Sequence, residues 1–192
     1  AALGIIFCSS DVVRLCFGEE YVLSLKIPLV MALNFYTVGM MNAVWTYKHT
    51  LGLFKYGRFL QIITGILNII FSVILGKSWG LFGILFATFI ARACTNLWYD
   101  PYAIFKHGFH KSPLYYLKKY IYFIMVLFVA ALACHFSLKL VFGSLMVQVL
   151  LEIIICSVVI NVIFLCAFYK TKEFEILKNV IANIFSILIK KK

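Results

Sequence analysis

Acidic residues are scarce in this chain, whose 192 residues include only 7 aspartates and glutamates against 18 lysines and arginines. Charged residues make up 13% in total, which is too few to cover the surface of a soluble particle of this size. Hydrophobic residues make up 64%, compared with roughly 45–50% in globular domains, and the mean hydropathy is +1.02. The composition therefore excludes an ordinary soluble domain and predicts an all-α, polytopic membrane protein.

Motifs of catalysis and cofactor binding are also missing. The chain has no GxGxxG, P-loop, HExxH or nucleophile-elbow pattern, and its six cysteines form no CxxC and no metal-ligand spacing. His107 and His110 share a lysine-rich loop, which is weak evidence for a metal site. We therefore expect no enzymatic activity, no cofactor and no metal. Most cysteines lie in apolar runs, where they behave as small hydrophobic residues, although a Cys8–Cys16 disulfide stays open.

Nucleic-acid binding is a poor explanation of the net charge of +11. Such binding needs a basic patch on a folded surface. Here the basic residues lie between apolar stretches, so we expect no nucleic-acid partner.

Five stretches approach the roughly 20 apolar residues that cross a bilayer, and the short turn at 76–80 predicts that the second and third form a helical hairpin. Residues 1–8 resemble the end of another span, and the chain begins without methionine. We therefore expect residues 1–172 to be the carboxy-terminal transmembrane lobe of a larger protein, with residues 173–192 as an amphipathic basic tail. The predicted spans are 27–46, 59–75, 80–97, 120–141 and 146–169.

Lysine and arginine counts predict the orientation, because cytoplasmic loops carry the excess of basic residues. Thirteen of the 18 basic residues lie in the loop after span 27–46, in the loop after span 80–97 and in the tail. Only Arg14, Lys26, Lys77 and Lys139 lie on the opposite side. The carboxy terminus is thus predicted to be cytoplasmic. The apolar positions of the tail (Phe174, Leu177, Ile181, Ile184, Leu188) suit a helix on the inner leaflet or one packed under the bundle.

Polar side chains inside the spans are the candidate functional residues, because they usually face protein or a water-filled cavity. In span 59–75 they fall on one helical face, which suits either a helix–helix seam or the wall of a cavity. Arg92 shares a face with other polar residues of span 80–97, and it either snorkels to the interface or faces a cavity and binds phosphate. The candidate substrate-binding residues are Arg92, Asn34, Gln61, Thr64, Asn68, Thr88 and Asn96.

Glu152 is the one acidic residue within a predicted span, with Gln148 one turn before it. A lone carboxylate in a span can bind a proton or sodium ion in an ion-coupled carrier, so Glu152 is the ion-coupling candidate. Because it lies near the end of its span, a solvated or lysine-paired side chain is the favoured interpretation.

The order of these elements is similar to the carboxy-terminal lobe of bacterial polysaccharide flippases, the Wzx-type members of the multidrug/oligosaccharidyl-lipid/polysaccharide exporter superfamily. The likeness rests on a basic linker, a helix with a central asparagine, a glycine-bearing hairpin, Arg92, and an aromatic segment followed by basic residues. Loosely, it extends over nearly the whole chain. The segments are FKYGR at 54–58, ILNII at 66–70, GLFGILFAT at 80–88, WYDPY at 98–102, KHGF at 106–109 and KKY at 118–120.

The resemblance implies a twelve-helix protein of two lobes in the bacterial cytoplasmic membrane, with this chain holding the end of helix seven through helix twelve. It implies movement of an oligosaccharide on undecaprenyl diphosphate from the inner to the outer leaflet, coupled to an ion gradient. The implied partners are this lipid-linked oligosaccharide, membrane lipids and the amino-terminal lobe. Arg92 is carried over only as a matching cavity position.

Three other functions compete with this one. An ion-coupled drug or metabolite exporter of the same superfamily needs acidic cavity residues, whereas this chain offers Arg92 and amides. A membrane-embedded polymerase or glycosyltransferase needs a large outer loop or clustered acids and histidines, which are missing. The third alternative is a non-catalytic structural membrane subunit, against which the polar helix faces argue only mildly.

Overall fold

In a computed structural model, which describes residues 2–139, 144–171 and 174–181, every regular element is helical. The all-α prediction is therefore confirmed for this part of the chain. This part of the chain contains six α-helices, two short 3₁₀ turns and one π turn, and residues 174–181 are also helical. The helices are α1 (Ala2–Phe17), α2 (Lys26–Thr50), α3 (Leu60–Cys94), α4 (Asn96–Ala103), α5 (Leu114–Leu138) and α6 (Leu145–Phe168).

Among the described residues, four helical segments are long and apolar enough to cross a membrane: α2, the stretch Leu53–Gly108, α5 and α6. With 24 or 25 residues, α2, α5 and α6 each extend about 36 Å at 1.5 Å per residue. This exceeds the roughly 30 Å of a hydrocarbon core. Their bounds overlap the predicted spans 27–46, 120–141 and 146–169, and α5 begins six residues earlier than predicted.

The α3 helix folds back on itself at Gly80, whose φ of 59° and ψ of −138° are not helical. The backbone at Gly83 lies directly against the carbonyl of Leu75. Farther from the turn, Asn68 Nδ2 donates to Thr88 Oγ1 at 3.1 Å. Residues 60–79 and 81–94 are therefore the antiparallel arms of a hairpin, as the turn at 76–80 predicts, and the first arm stays helical through residue 79.

Two features of the amino-terminal part differ from the sequence prediction. Helix α1 does not end near residue 8 but continues to Phe17, and an Asp11–Arg14 pair at 2.8 Å joins successive turns of this extension. A Cys8–Cys16 disulfide is wrong, because eight residues of one helix separate the two thiols by about 12 Å along its axis.

The bundle is arranged around α1, which packs between α2 and α6. Helix α5 packs on α6, while the α3 hairpin and α4 pack on α2. Where helices meet, alanines are fully buried and allow close approach of the backbones. Cys8, Cys134 and Cys156 bring α1, α5 and α6 together in one buried cluster. The buried alanines are Ala32, Ala87, Ala91, Ala103 and Ala130.

The structure describes only part of the predicted amphipathic tail. Phe174, Leu177 and Ile181 lie in the helical stretch 174–181. The tail's other two apolar positions, Ile184 and Leu188, lie outside the described residues.

We expect Gly83→Ala to destabilise the protein by about 1–3 kcal/mol or more, because its new Cβ would clash with the Leu75 carbonyl, which is backbone and cannot move aside freely. Gly65→Ala is the matched control, since a Cβ there meets nothing within 4 Å. Thermal unfolding in detergent micelles, followed by circular dichroism, measures both. Equal melting temperatures for the two variants would contradict the close approach of the arms.

Candidate functional site

Asn34 of α2 links its own helix to the second arm of α3 beside Arg92. Its side-chain amide donates to the carbonyls of Val30, at 3.1 Å, and Leu85, at 2.9 Å. Its carbonyl oxygen accepts a hydrogen bond from Arg92 Nη1 at 3.4 Å. Both N–H groups of the amide are therefore used, one within α2 and one to join α2 to the second arm of α3, and the oxygen is left to hold the guanidinium.

Arg92 carries a charge that no acid neutralises within the described part of the chain. Its side chain is half-buried, and the long bond to Asn34 is its one hydrogen bond there. By contrast, Lys48 is paired with Asp100, and Arg14 is paired with Asp11 and Glu19. A guanidinium held by a neutral amide keeps most of its donors free for an anion.

The helix that carries Arg92 is shorter than predicted. Span 80–97 is interrupted at Thr95, where φ is −124° and ψ is −89°, and α4 begins at Asn96. Arg92 therefore lies in the last turn of α3, where the partial negative charge of the helix end stabilises a cation. The break is tolerated within an apolar span because Thr95 and Asn96 are both buried and hydrogen-bonded within the protein.

Four of the candidate cavity residues form hydrogen bonds between the first arm of α3 and either its second arm or the start of α4. Thr64 Oγ1 lies 2.7 Å from Thr95 Oγ1 and donates to Asn96 Oδ1 at 2.9 Å. Asn68 bonds to Thr88, and Ser72 donates to Asn68 Oδ1 at 3.1 Å. These bonds favour the seam interpretation of the polar face. A cavity-lining role for Thr64, Asn68, Thr88 and Asn96 stays a prediction.

Gln61, on the same helical face as Thr64, is exposed and makes no bond with the other candidates. The candidates therefore fall into three groups. Arg92 and Asn34 form a pair between α3 and α2, the threonine and asparagine residues form the hairpin seam, and Gln61 lies apart at the start of α3.

A buried ion pair that the sequence analysis missed joins α2 to α4. Asp100 is 1% exposed, and its two oxygens accept from Lys48 Nζ at 2.6 Å and Trp45 Nε1 at 3.1 Å. Asp100 is one of only two aspartates in the chain and lies beside apolar span ends. The rarity of aspartate in this chain was the sequence feature that could have predicted the ion pair, because an isolated acid in apolar surroundings needs a basic partner.

Glu152 lies on α6, away from Arg92, and only 5% of its surface is exposed. Its Oε1 accepts from Gln148 Nε2 at 3.0 Å. No lysine or arginine among the described residues forms an ion pair with it. The expectation of a solvated or lysine-paired side chain is therefore wrong, because α6 turns Glu152 into the contact with α1.

Within residues 2–139, 144–171 and 174–181, no group of three or more histidine, cysteine or acidic side chains could hold a metal ion. His107 instead stacks on Tyr56, with ring centroids 4.0 Å apart. Comparisons with protein-family models, curated proteins and solved structures find no match to this chain.

We expect Lys48→Met to destabilise the protein by about 3–5 kcal/mol, because it leaves the Asp100 carboxylate buried without its cation. The double variant Lys48→Met/Asp100→Asn should lose less than the single one, since no charge then remains unpaired. Lys55→Met, at an exposed lysine, is the control. Unfolding titrations in mixed detergent micelles measure each difference, with Asp100→Asn as the second single variant. A double variant whose loss of stability equals the sum of the two single losses would contradict the pairing.

Proposed function

We propose that this chain is part of a membrane flippase that moves an oligosaccharide linked to undecaprenyl diphosphate across the cytoplasmic membrane, with Arg92 and Asn34 contributing to the binding of the diphosphate. The observation that carries the proposal is the Arg92 guanidinium, held at 3.4 Å by a neutral amide and facing no carboxylate in the described part of the chain.

An uncompensated cation inside a helical bundle is costly, and such residues are usually functional. A guanidinium with free donors matches two oxygens of a phosphate at once. Binding of a diphosphate would neutralise the charge and replace part of the anion's hydration shell. The same anion cannot cross hydrocarbon unaided, because transfer of an ionised group into a low-dielectric medium is very unfavourable.

The apolar exterior of the hairpin suits the lipid part of such a substrate. The first arm of α3 exposes a continuous set of branched aliphatic side chains, while its polar face is turned to the second arm. Acyl chains or a polyprenyl tail can contact this surface without any polar group being desolvated. The exposed residues are Ile62, Ile63, Ile66, Ile69, Ile70, Val73 and Ile74.

This mechanism needs binding and movement only. In secondary transporters, one helical bundle rocks against another around a site near the middle of the membrane. Here the second bundle would be the amino-terminal lobe that the resemblance implies. Because Arg92 lies at the end of α3, beside the break at Thr95, a rigid-body shift of α4 would change the surroundings of the guanidinium directly.

A structural membrane subunit is the second candidate. It is favoured by the hydrogen bonds of Thr64, Asn68, Thr88 and Asn96, which satisfy one another within the hairpin. Arg92 distinguishes the two functions, because in a structural subunit its guanidinium would only snorkel to the interface, whereas in a flippase it would bind an anion.

We expect Arg92→Ala to lower export of the surface polysaccharide about 10-fold or more in cells that depend on the full-length protein, because it removes charge-assisted hydrogen bonds worth about 1.5–3 kcal/mol. Arg92→Lys should retain part of the activity, since the charge stays but the two-pronged geometry is lost. Polymer on the cell surface is quantified at matched protein levels.

The control is Arg58→Gln, which removes an exposed arginine two residues before the start of α3. It should leave export unchanged. Normal export by Arg92→Ala at normal expression would refute the diphosphate site, and the structural function would then be preferred.

A further inference from the structure

A second uncompensated group lies on the other side of the bundle, where α1 meets α6. Glu152 is two turns into α6 and nearly fully buried. One carboxyl oxygen accepts from Gln148, whereas the other, Oε2, is buried and has no hydrogen-bond partner among the described residues. An unpaired buried carboxylate oxygen is one of the most unfavourable groups that a helix contact can contain.

Across the contact, Asp11 of α1 lies beside Glu152, since Cys8 and Cys156, about one turn away on the same two helices, meet in the buried cluster. Two ionised carboxylates are both acceptors and cannot form a hydrogen bond with each other. If one of them carries a proton, it donates to the other, and the missing partner of Oε2 is supplied.

We propose that Glu152 and Asp11 form a proton-binding site in which one proton, carried by Glu152, is shared with Asp11 across the α1–α6 contact. The proton comes from water and adds to the Glu152 carboxylate, and its loss returns both groups to the ionised form. Like-charged carboxylates at hydrogen-bonding distance do not both ionise readily, so sharing of one proton is the ordinary outcome.

The surroundings decide which carboxyl keeps its charge. Asp11 Oδ1 is paired with Arg14 at 2.8 Å, and Arg14 also contacts Glu19 at 3.0 Å. Among the described residues no basic side chain pairs with Glu152, whose other neighbours are Gln148 and the thiols of Cys8 and Cys156. The proton is therefore assigned to Glu152, the carboxyl group that is buried without a cationic partner. The titratable or charged groups facing this site are Cys8, Asp11 and Arg14 from α1, Cys156 from α6 and Cys134 from α5.

A proton fits the site better than a metal cation does. Within the described residues no three acidic, cysteine or histidine side chains have an arrangement that could hold a metal ion. The amide of Gln148 presents its nitrogen, a donor, to Glu152. A proton needs only the two oxygens that the helices already bring together.

The site also joins the first and last helices of the bundle. Loss of the proton would place two negative charges in the α1–α6 contact and oppose the packing there. In a transporter this would link proton binding to movement of α1. The site goes beyond the proposed flippase function, because proton binding can be measured on the resting protein whatever it transports.

Infrared difference spectroscopy of the purified full-length protein in lipid nanodiscs tests the proposal. The carbonyl band of a protonated carboxylic acid is separate from the carboxylate bands. We expect such a band at neutral pH in the unmodified protein, and we expect its loss in Glu152→Gln. Glu20→Gln, which removes an exposed glutamate of the loop after α1, should keep the band.

Asp11→Asn tests the sharing. Because it changes the group that accepts from Glu152, it should change the frequency of the band or the pH at which it disappears, whereas Glu20→Gln changes neither. Selective ¹³C labelling of glutamate carboxyl groups in the unmodified protein assigns the band without any substitution, in case Glu152→Gln does not fold.

Three results would overturn the proposal. The band is absent from the unmodified protein, or it survives in Glu152→Gln and does not shift on glutamate labelling. Alternatively, it disappears when choline is replaced by sodium at constant pH, which would assign the site to a sodium ion. None of these results depends on Arg92 or on polysaccharide export, so failure here is distinguishable from failure of the flippase function.

Discussion

Pairing of polar groups within the protein is the constraint on which the rest of this structure depends, because hydrocarbon offers no hydrogen bonds in exchange. The hairpin shows how completely this can be done. Asn68 bonds to Thr88, Thr64 bonds to both residues at the break of the third helix, and the Asn34 amide joins two helices through backbone carbonyls. Asp100, between α2 and α4, also accepts a hydrogen bond at each of its two carboxylate oxygens.

Against this background, two groups stand out because their charge is not balanced. Arg92 is held only by Asn34, at the contact of α3 with α2. Glu152 has one satisfied oxygen and one without a partner, at the contact of α6 with α1. Since α1 and α2 pack directly on each other, the two sites lie on opposite flanks of one helix pair. An anion at the first and a proton at the second would each relieve a local electrostatic cost.

Much of the fold follows from hydrophobic run length and from the glycine turn, because both act over short stretches of chain. The reversal near residue 80 and the bounds of α6 were predictable for this reason. The break at Thr95, the Lys48–Asp100 pair and the burial of Glu152 were not. Each depends on a neighbour 31 or more residues away or on which helices pack together, and a single sequence does not contain that information. Arg92 was identified from its position alone, whereas its amide partner was identified only as a separate candidate.

Binding of an anion by Arg92 requires this position to face water, although the first arm of the same hairpin exposes an apolar surface. The most direct measurement is labelling of Arg92→Cys, in a full-length protein without other cysteines, by a charged maleimide that reacts only in water. Ile69→Cys, at a position of α3 that is 67% exposed on its apolar face, is the reference. We expect the thiol at position 92 to react with the maleimide and the thiol at position 69 to be protected from it. Protection of both, under conditions in which a loop cysteine reacts, would contradict it.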